Sequence, residues 1–325
     1  MRVLSAEFVY AVPTAEPYRT RILTNLRARL DALRPGDGVL ILAGSAAALD
    51  VVQPLKPPPG VTHFARIVTP QRLPGSAAFA QTDRWARIDA ALACAAEDAD
   101  RFDALLMPAL DAVYTRRLID RLIDRSGGRV PVSAWTPCHH AGDGPIAAAM
   151  NAAFNRDRTF RRRLLRGETQ QFWGKLGLLP TALCAGLRAA VRDEHRIWED
   201  DMVIDRTLNA LGHPAVSLWI GDPAVYRLHP PVFTEADLYR VIERHLHYAL
   251  HGGSGLLLPP DRAQRRLMAR DPAYAAAVAL ADRLIAAARA ALETRLAASG
   301  ESAVIWGEYR ITARRGDPFV RVEPA

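Results

Sequence analysis

Cysteine is scarce: Cys94, Cys138 and Cys184 are the three in 325 residues, widely spaced and odd in number. They form no CxxC pair and suggest no disulfide framework, so a stapled secreted scaffold is not offered. A reducing cytoplasm is the expected setting. No run of eighteen apolar residues occurs, so no membrane-spanning helix is expected. The opening MRVLSAEFVYAVPTAEPYRT has a Glu inside its short apolar stretch and no small-residue cleavage pattern, and reads as a first core strand rather than a signal peptide. GxGxxG does not follow the first strand, and neither GxxxxGK[ST] nor GxSxG occurs anywhere. Those absences remove the dinucleotide fingerprint, the P-loop and the nucleophile elbow. Internal repeats and long low-complexity linkers are also missing.

Half of the residues are hydrophobic and 24% are charged, a globular composition with ample core material. The formal net charge is +7 and the pI about 9.7, carried mostly by Arg. That balance favours anionic partners: nucleic acid, phosphorylated metabolites or an anionic membrane surface. The chain is also rich in Ala and Pro, a bias that base composition alone can produce, so the charge by itself names no partner.

The first half alternates two periods. EFVYAVP, GVLILAG, THFARIVTP, FDALLMPA and RVPVSAW read as strands. Between them, PYRTRILTNLRARLDAL, TDRWARIDAALACAAEDA and TRRLIDRLIDRSGG carry apolar residues at helical spacing. Strands separated by helices, several apolar on both faces, predict an α/β fold: a mainly parallel central sheet flanked by helices. Beyond an Arg cluster and a Gly-rich turn, the sequence predicts an apolar helix, a helix over about 199–211, and further strands. A mostly helical C-terminal extension follows, and SAVIWGEYRITARRGDPFVRVEP closes the chain as a terminal β-hairpin across RRGDP. The break at Pro230–Thr234 suggests two domains, 1–232 and 233–325.

Several clusters have bland readings that outweigh chemical ones. TPCHH, Cys138 to His140 with its neighbours, reads as a loop lining a cleft rather than a zinc site. His247 and His251 in HLHYALH stand one helical turn apart, a metal-capable spacing, but a solvated helix face is the better reading. HGGSGLLLPP reads as a helix terminator. RDRTFRRRLLRGE holds six Arg but a single aromatic, Phe160, so nucleic acid is not the favoured partner. Carboxylates are left. Asp111 stands at the carboxyl end of the fourth strand, where ligands of such sheets sit. Glu199, Asp200 and Asp201 start a helix, where the dipole favours acids whether or not they act chemically. With His229 these acids could build one cleft able to hold a divalent cation, leaving a carboxylate free as general base.

At this point the chain resembles the nucleotide-sugar-dependent glycosyltransferases of the GT-A fold, of the family-two or mannosylglycerate-synthase kind. VYAVPT is similar to the first strand of that family, and RWARIDAALACAAEDADRFDALLMPALDAVYT to its ARN-x-A helix and the strand ending in DxD. FWGKLGLLPTALC resembles the Gly-containing segment bordering the acceptor site, and WEDDMVIDRTLNALG the ED helix. The resemblance spans about Phe8 to His229. It implies a sugar transfer from a nucleotide-diphosphate sugar to a hydroxyl acceptor, inverting, with Asp200 as base and Asp201 and Glu199 beside it. It implies donor contacts at Pro13, Thr14, Arg87, Ala109, Asp111 and Lys175, with Arg161 to Arg163 as further phosphate-facing cations. Trp173 and Trp198 are candidates to stack on the sugar. Mg or Mn would sit on Asp111 and His229. The DxD motif is degenerate, because Ala109 replaces the first acid, and ARID replaces the usual Asn with Ile88 and Asp89. That departure motivates an alternative: a nucleotide-sugar-binding or partner-binding protein of the same fold without catalysis. The basic, amphipathic tail leaves room for peripheral contact with a membrane-bound acceptor.

Overall fold

The computed structural model describes residues 1–9, 18–68, 80–108, 113–135, 138–140, 144–154, 165–167, 171–172, 176–191, 200–219, 224–226, 234–250, 260, 262–306, 309–316 and 321–324. The chain divides into two compact units. Unit 1 comprises 1–135 and 171–220; unit 2 comprises 136–170 and 221–325. The units interleave along the chain, where the sequence suggested one break near residue 232.

Unit 1 is the predicted α/β sheet. Its strands are β1 (Val3–Val9), β2 (Gly38–Ala43), β3 (Thr62–Ile67), β4 (Ala104–Pro108), β5 (Val132–Trp135), β7 (Leu176–Pro180) and β8 (Val216–Trp219). They form one seven-stranded sheet in the order β3-β2-β1-β4-β7-β5-β8. All described neighbours pair in parallel except β7, which is antiparallel to β4 and β5. The helices α1 (Tyr18–Asp31), α2 (Ala46–Val52), α3 (Ala80–Glu97), α4 (Arg116–Ser126), α6 (Thr181–Ala190) and α7 (Asp200–Ala210) cover it.

The alternation of side chains along each strand builds a core on each face. On one face Leu4, Ala6 and Phe8 of β1 and Leu105 and Met107 of β4 meet Trp85, Ile88 and Leu92 of α3, Leu187 of α6, and Ile204 and Leu208 of α7. On the other, Val3, Val9, Val39, Ile41 and Leu106 meet Leu26 and Leu30 of α1 and Ile119 and Leu122 of α4. Because both faces are covered, β1, β2 and β4 are buried along their whole length. β3 is the edge, and its residues alternate or lie open. α4 stops at Gly127, which takes the left-handed conformation (φ 52°) that a side chain would strain.

Unit 2 holds β6 (Cys138–His140), α5 (Pro145–Phe154), β9 (Ala224–Tyr226), α8 (Glu235–Ala249), α9 (Arg262–Met268), α10 (Pro272–Ser299), β10 (Glu301–Trp306), β11 (Tyr309–Arg314) and β12 (Arg321–Pro324). α10 is capped at its start by Asp271, which accepts from the Tyr274 amide, and has Pro in its first turn. It packs on α5, α8 and β10. The hairpin across RRGDP is present as β11–β12, and SAVIW adds β10 as a third antiparallel strand.

Candidate functional site

Strand order locates the candidate site. From β1 the chain builds outward to β2 and β3, then returns to the other flank of β1 as β4. The reversal falls between β1 and β4, and in open α/β sheets the ligand crevice lies outside the carboxyl ends of the strands at such a point. β1 ends at Val9 and β4 at Pro108. The chain that follows β1 carries Pro13 and Thr14, and the chain that follows β4 carries Ala109 and Asp111; all four lie outside the described residues. β7 enters from the same edge, with Leu176 opposite Pro108. The residues just before it, Trp173 to Lys175, are also outside the described set.

The helix with the acidic start aims at this edge too. α7 is joined to β8 by residues 211–215, so its last turn lies at the amino edge of the sheet and its first turn toward the carboxyl edge. Asp200 is 3% exposed and stacks in line with Ile204 and Leu208, both core residues. Asp201 is partly exposed. Neither residue is without partners. Glu199 lies outside the described residues.

Sequence reasoning overlooked Asp205, one turn beyond Asp201. Its Oδ1 accepts from the backbone amides of Gln171 (3.1 Å) and Phe172 (2.8 Å). The Gln171 carbonyl in turn accepts from the Ser217 hydroxyl of β8 at 2.6 Å. Phe172 is fully buried, and its ring lies over Gly177 so closely that a Cβ there would stand 2.2 Å from it. Asp205 thus clamps the backbone immediately before Trp173–Lys175 to the helix that carries Asp200. Burial raises its pKa, and the two amide bonds oppose that shift. A carboxylate at mid-helix with polar neighbours has no distinguishing sequence signal.

Other predicted residues have varied placements. Arg87 of α3 is fully buried on the same face of the sheet as α7, and it has partners. A guanidinium with no exposure is held by protein groups, and it meets a donor phosphate only if the ligand reaches that layer. His229, Arg161 to Arg163 and Trp198 lie outside the described residues. The TPCHH segment is not wholly loop: Cys138–His140 is β6, paired in parallel with β9. His247 is fully buried, which overturns the solvated-face reading, because α8 turns Leu238, Val241, Ile242, Leu246 and His247 inward together. His251 is outside the described residues.

A second polar group lies under the opposite face of β1. Glu7 accepts from Arg29 Nε at 2.8 Å and from the Ser5 hydroxyl at 3.0 Å, and neither charged side chain is more than 1% exposed. Tyr114, just before α4, is buried beside them; desolvation and the nearby Glu7 charge push its hydroxyl far above the ordinary value. Among the described residues, no three or more His, Cys, Asp or Glu side chains come together as a metal site. No helix among them is long and apolar enough to cross a membrane.

No family model matches this chain, and no curated protein matches it. Among solved structures it is similar to a Bacillus anthracis protein assigned as a glucose-1-phosphate thymidylyltransferase, at 10% identity over 67% of this chain and 87% of that one, with a TM-score of 0.40. It is similar to a CMP:2-keto-3-deoxy-manno-octonic acid synthetase complexed with CTP, at 12% identity over 74% of this chain and 95% of that one, TM-score 0.38. It is also similar to mouse xyloside xylosyltransferase 1, at 11% identity over 66% of this chain and 77% of that one, TM-score 0.34. Likenesses this remote assign no substrate and no reaction to the chain.

Proposed function

We propose that the chain is a glycosyltransferase that moves a sugar from a nucleotide-diphosphate donor to a hydroxyl acceptor at the carboxyl edge of the unit 1 sheet. The observation that supports this most is the convergence of chain segments there. β1 and β4 end on either side of the strand-order reversal, β7 begins opposite the end of β4, and the first turn of α7 points to that same edge. The segments continuing from those ends hold Pro13, Thr14, Asp111 and Lys175, which we assign to the donor.

In this reading Asp200 takes the proton from the acceptor hydroxyl. The oxygen attacks the anomeric carbon, the bond from that carbon to the diphosphate oxygen breaks, and the nucleoside diphosphate leaves with the electron pair. Asp200 suits the task because it is shielded from bulk water while Asp201, its neighbour, is partly open. A helix N-terminus also favours the ionised carboxylate, the form that can accept a proton. Cations must meet the charge that develops on the departing diphosphate, and we assign Lys175, the residue before β7 in the sequence, to that role. Asp111 is the carboxylate we assign to a divalent ion there. A bound Mg or Mn would neutralise diphosphate charge.

Asp200→Asn is isosteric and removes the base. It is expected to lower turnover by about 10²–10⁴-fold while leaving nucleotide binding intact. Unchanged turnover in that variant removes Asp200 from the role. A second reading, binding without catalysis, is favoured by Ala109 in place of the first acid of the motif. It predicts native protein that is stabilised by a nucleotide sugar but releases no nucleoside diphosphate.

A further inference from the structure

We propose that α9 and the turn after it form a docking surface for an anionic lipid bilayer. No residue of α9 (Arg262–Met268) is buried. Arg262, Arg265 and Arg266 in the helix and Arg270 in the turn are all exposed. Arg265 has a task in the fold, donating to the Pro260 carbonyl at 2.6 Å. Among the described residues, Arg262, Arg266 and Arg270 make no ion pair. No acid occurs between 262 and 270. The next carboxylate, Asp271, is engaged in capping α10 through the Tyr274 amide at 3.0 Å. Residues 262–270 therefore carry four cations and no carboxylate, between Asp261 and Asp271.

Leu267, in the middle of those arginines, is 45% exposed. Guanidinium groups match phosphate oxygens, and an apolar side chain between them gains only where hydrocarbon lies just beneath the phosphates. That pairing selects a bilayer over nucleic acid. Residues 262–270 contain no aromatic on which a base could stack, and Leu267 gains nothing from a phosphate backbone. Attraction to an anionic leaflet acts within a Debye length and so weakens with salt. The surface lies wholly in unit 2, and its test does not involve the transfer reaction.

The test is co-sedimentation of the full chain with phosphatidylcholine vesicles, with and without phosphatidylglycerol. Native protein is expected to bind only the anionic vesicles and to dissociate at high salt. Changing Arg262→Gln, Arg266→Gln and Arg270→Gln together should weaken binding by at least about tenfold. The melting temperature should hold, since these side chains support nothing else. Leu267→Ser keeps every charge; it should weaken vesicle binding and leave single-stranded oligonucleotide binding unaltered. Native protein indifferent to phosphatidylglycerol overturns the proposal. So does a triple variant that binds vesicles like the native chain, or Leu267→Ser with undiminished vesicle binding.

Discussion

Glu7 and Arg29 show what a charge inside this fold requires. One sits mid-strand and the other in the last turn of the helix above it, and the 2.8 Å bond between them replaces the water both have lost. Removing one partner strands the other. Arg29→Met is expected to destabilise the protein by about 3–5 kcal/mol, while Glu7→Gln with Arg29→Met should cost less than that single change. Urea titrations of the two variants check the ordering. Asp205 is a different case, because its partners are two backbone amides rather than a cation. Asp205→Ala leaves the buried Phe172 amide without an acceptor, at about 1–3 kcal/mol, and the half-buried Gln171 amide at a smaller cost. Asp205→Asn retains an acceptor oxygen and should cost less. Burial raises the Asp205 pKa above its ordinary 3.8, so the folded protein holds that proton more tightly than the unfolded chain. The stabilisation from this group is therefore fully present below the ordinary value and is lost as pH rises through the folded one. Asn does not titrate. The stability of native protein relative to Asp205→Asn should accordingly decline as pH rises from the ordinary carboxylate range; a difference independent of pH would contradict the assignment.

At the scale of elements, the antiparallel run of β7 is what sets its first residue, Leu176, at the site edge beside Pro108. Its packing depends on Gly177, the second residue of the strand, which lies beneath the Phe172 ring. Gly177→Ala is expected to cost about 1–3 kcal/mol through overpacking, seen as a lower melting temperature. The alternation of β1 to β5 with α1, α3 and α4 was legible in the sequence because each strand there is bounded by turn residues and each helix has one apolar stripe. β7 was not. LGLLP runs straight into the apolar helix TALCAGL, and periodicity cannot divide five apolar residues of strand from the helix that follows. The short α2 and β6 were missed for the same want of length. The acidic start of α7 was legible, since Glu, Asp, Asp before an apolar stripe is a helix-start signal. Asp205 was not, because its role depends on a backbone 34 residues away. His247 was misread because HLHYALH looks polar until the inward stripe of α8 is known.

At the scale of the whole molecule, the two units interleave along the chain. Segment 136–170 leaves unit 1 after β5 and the chain returns to it at Gln171, so the six-Arg run belongs to unit 2 while the clamp at Asp205 belongs to unit 1. Sugar transfer needs a donor held at the strand-order reversal of unit 1, and that is the central claim. Calorimetric titration of the native chain with a panel of nucleotide-diphosphate sugars, each with Mn present, tests it most directly. The account predicts saturable binding of at least one donor, with slow release of its nucleoside diphosphate by native protein and retained binding without that release in Asp200→Asn. Failure of every nucleotide sugar in the panel to bind would contradict it.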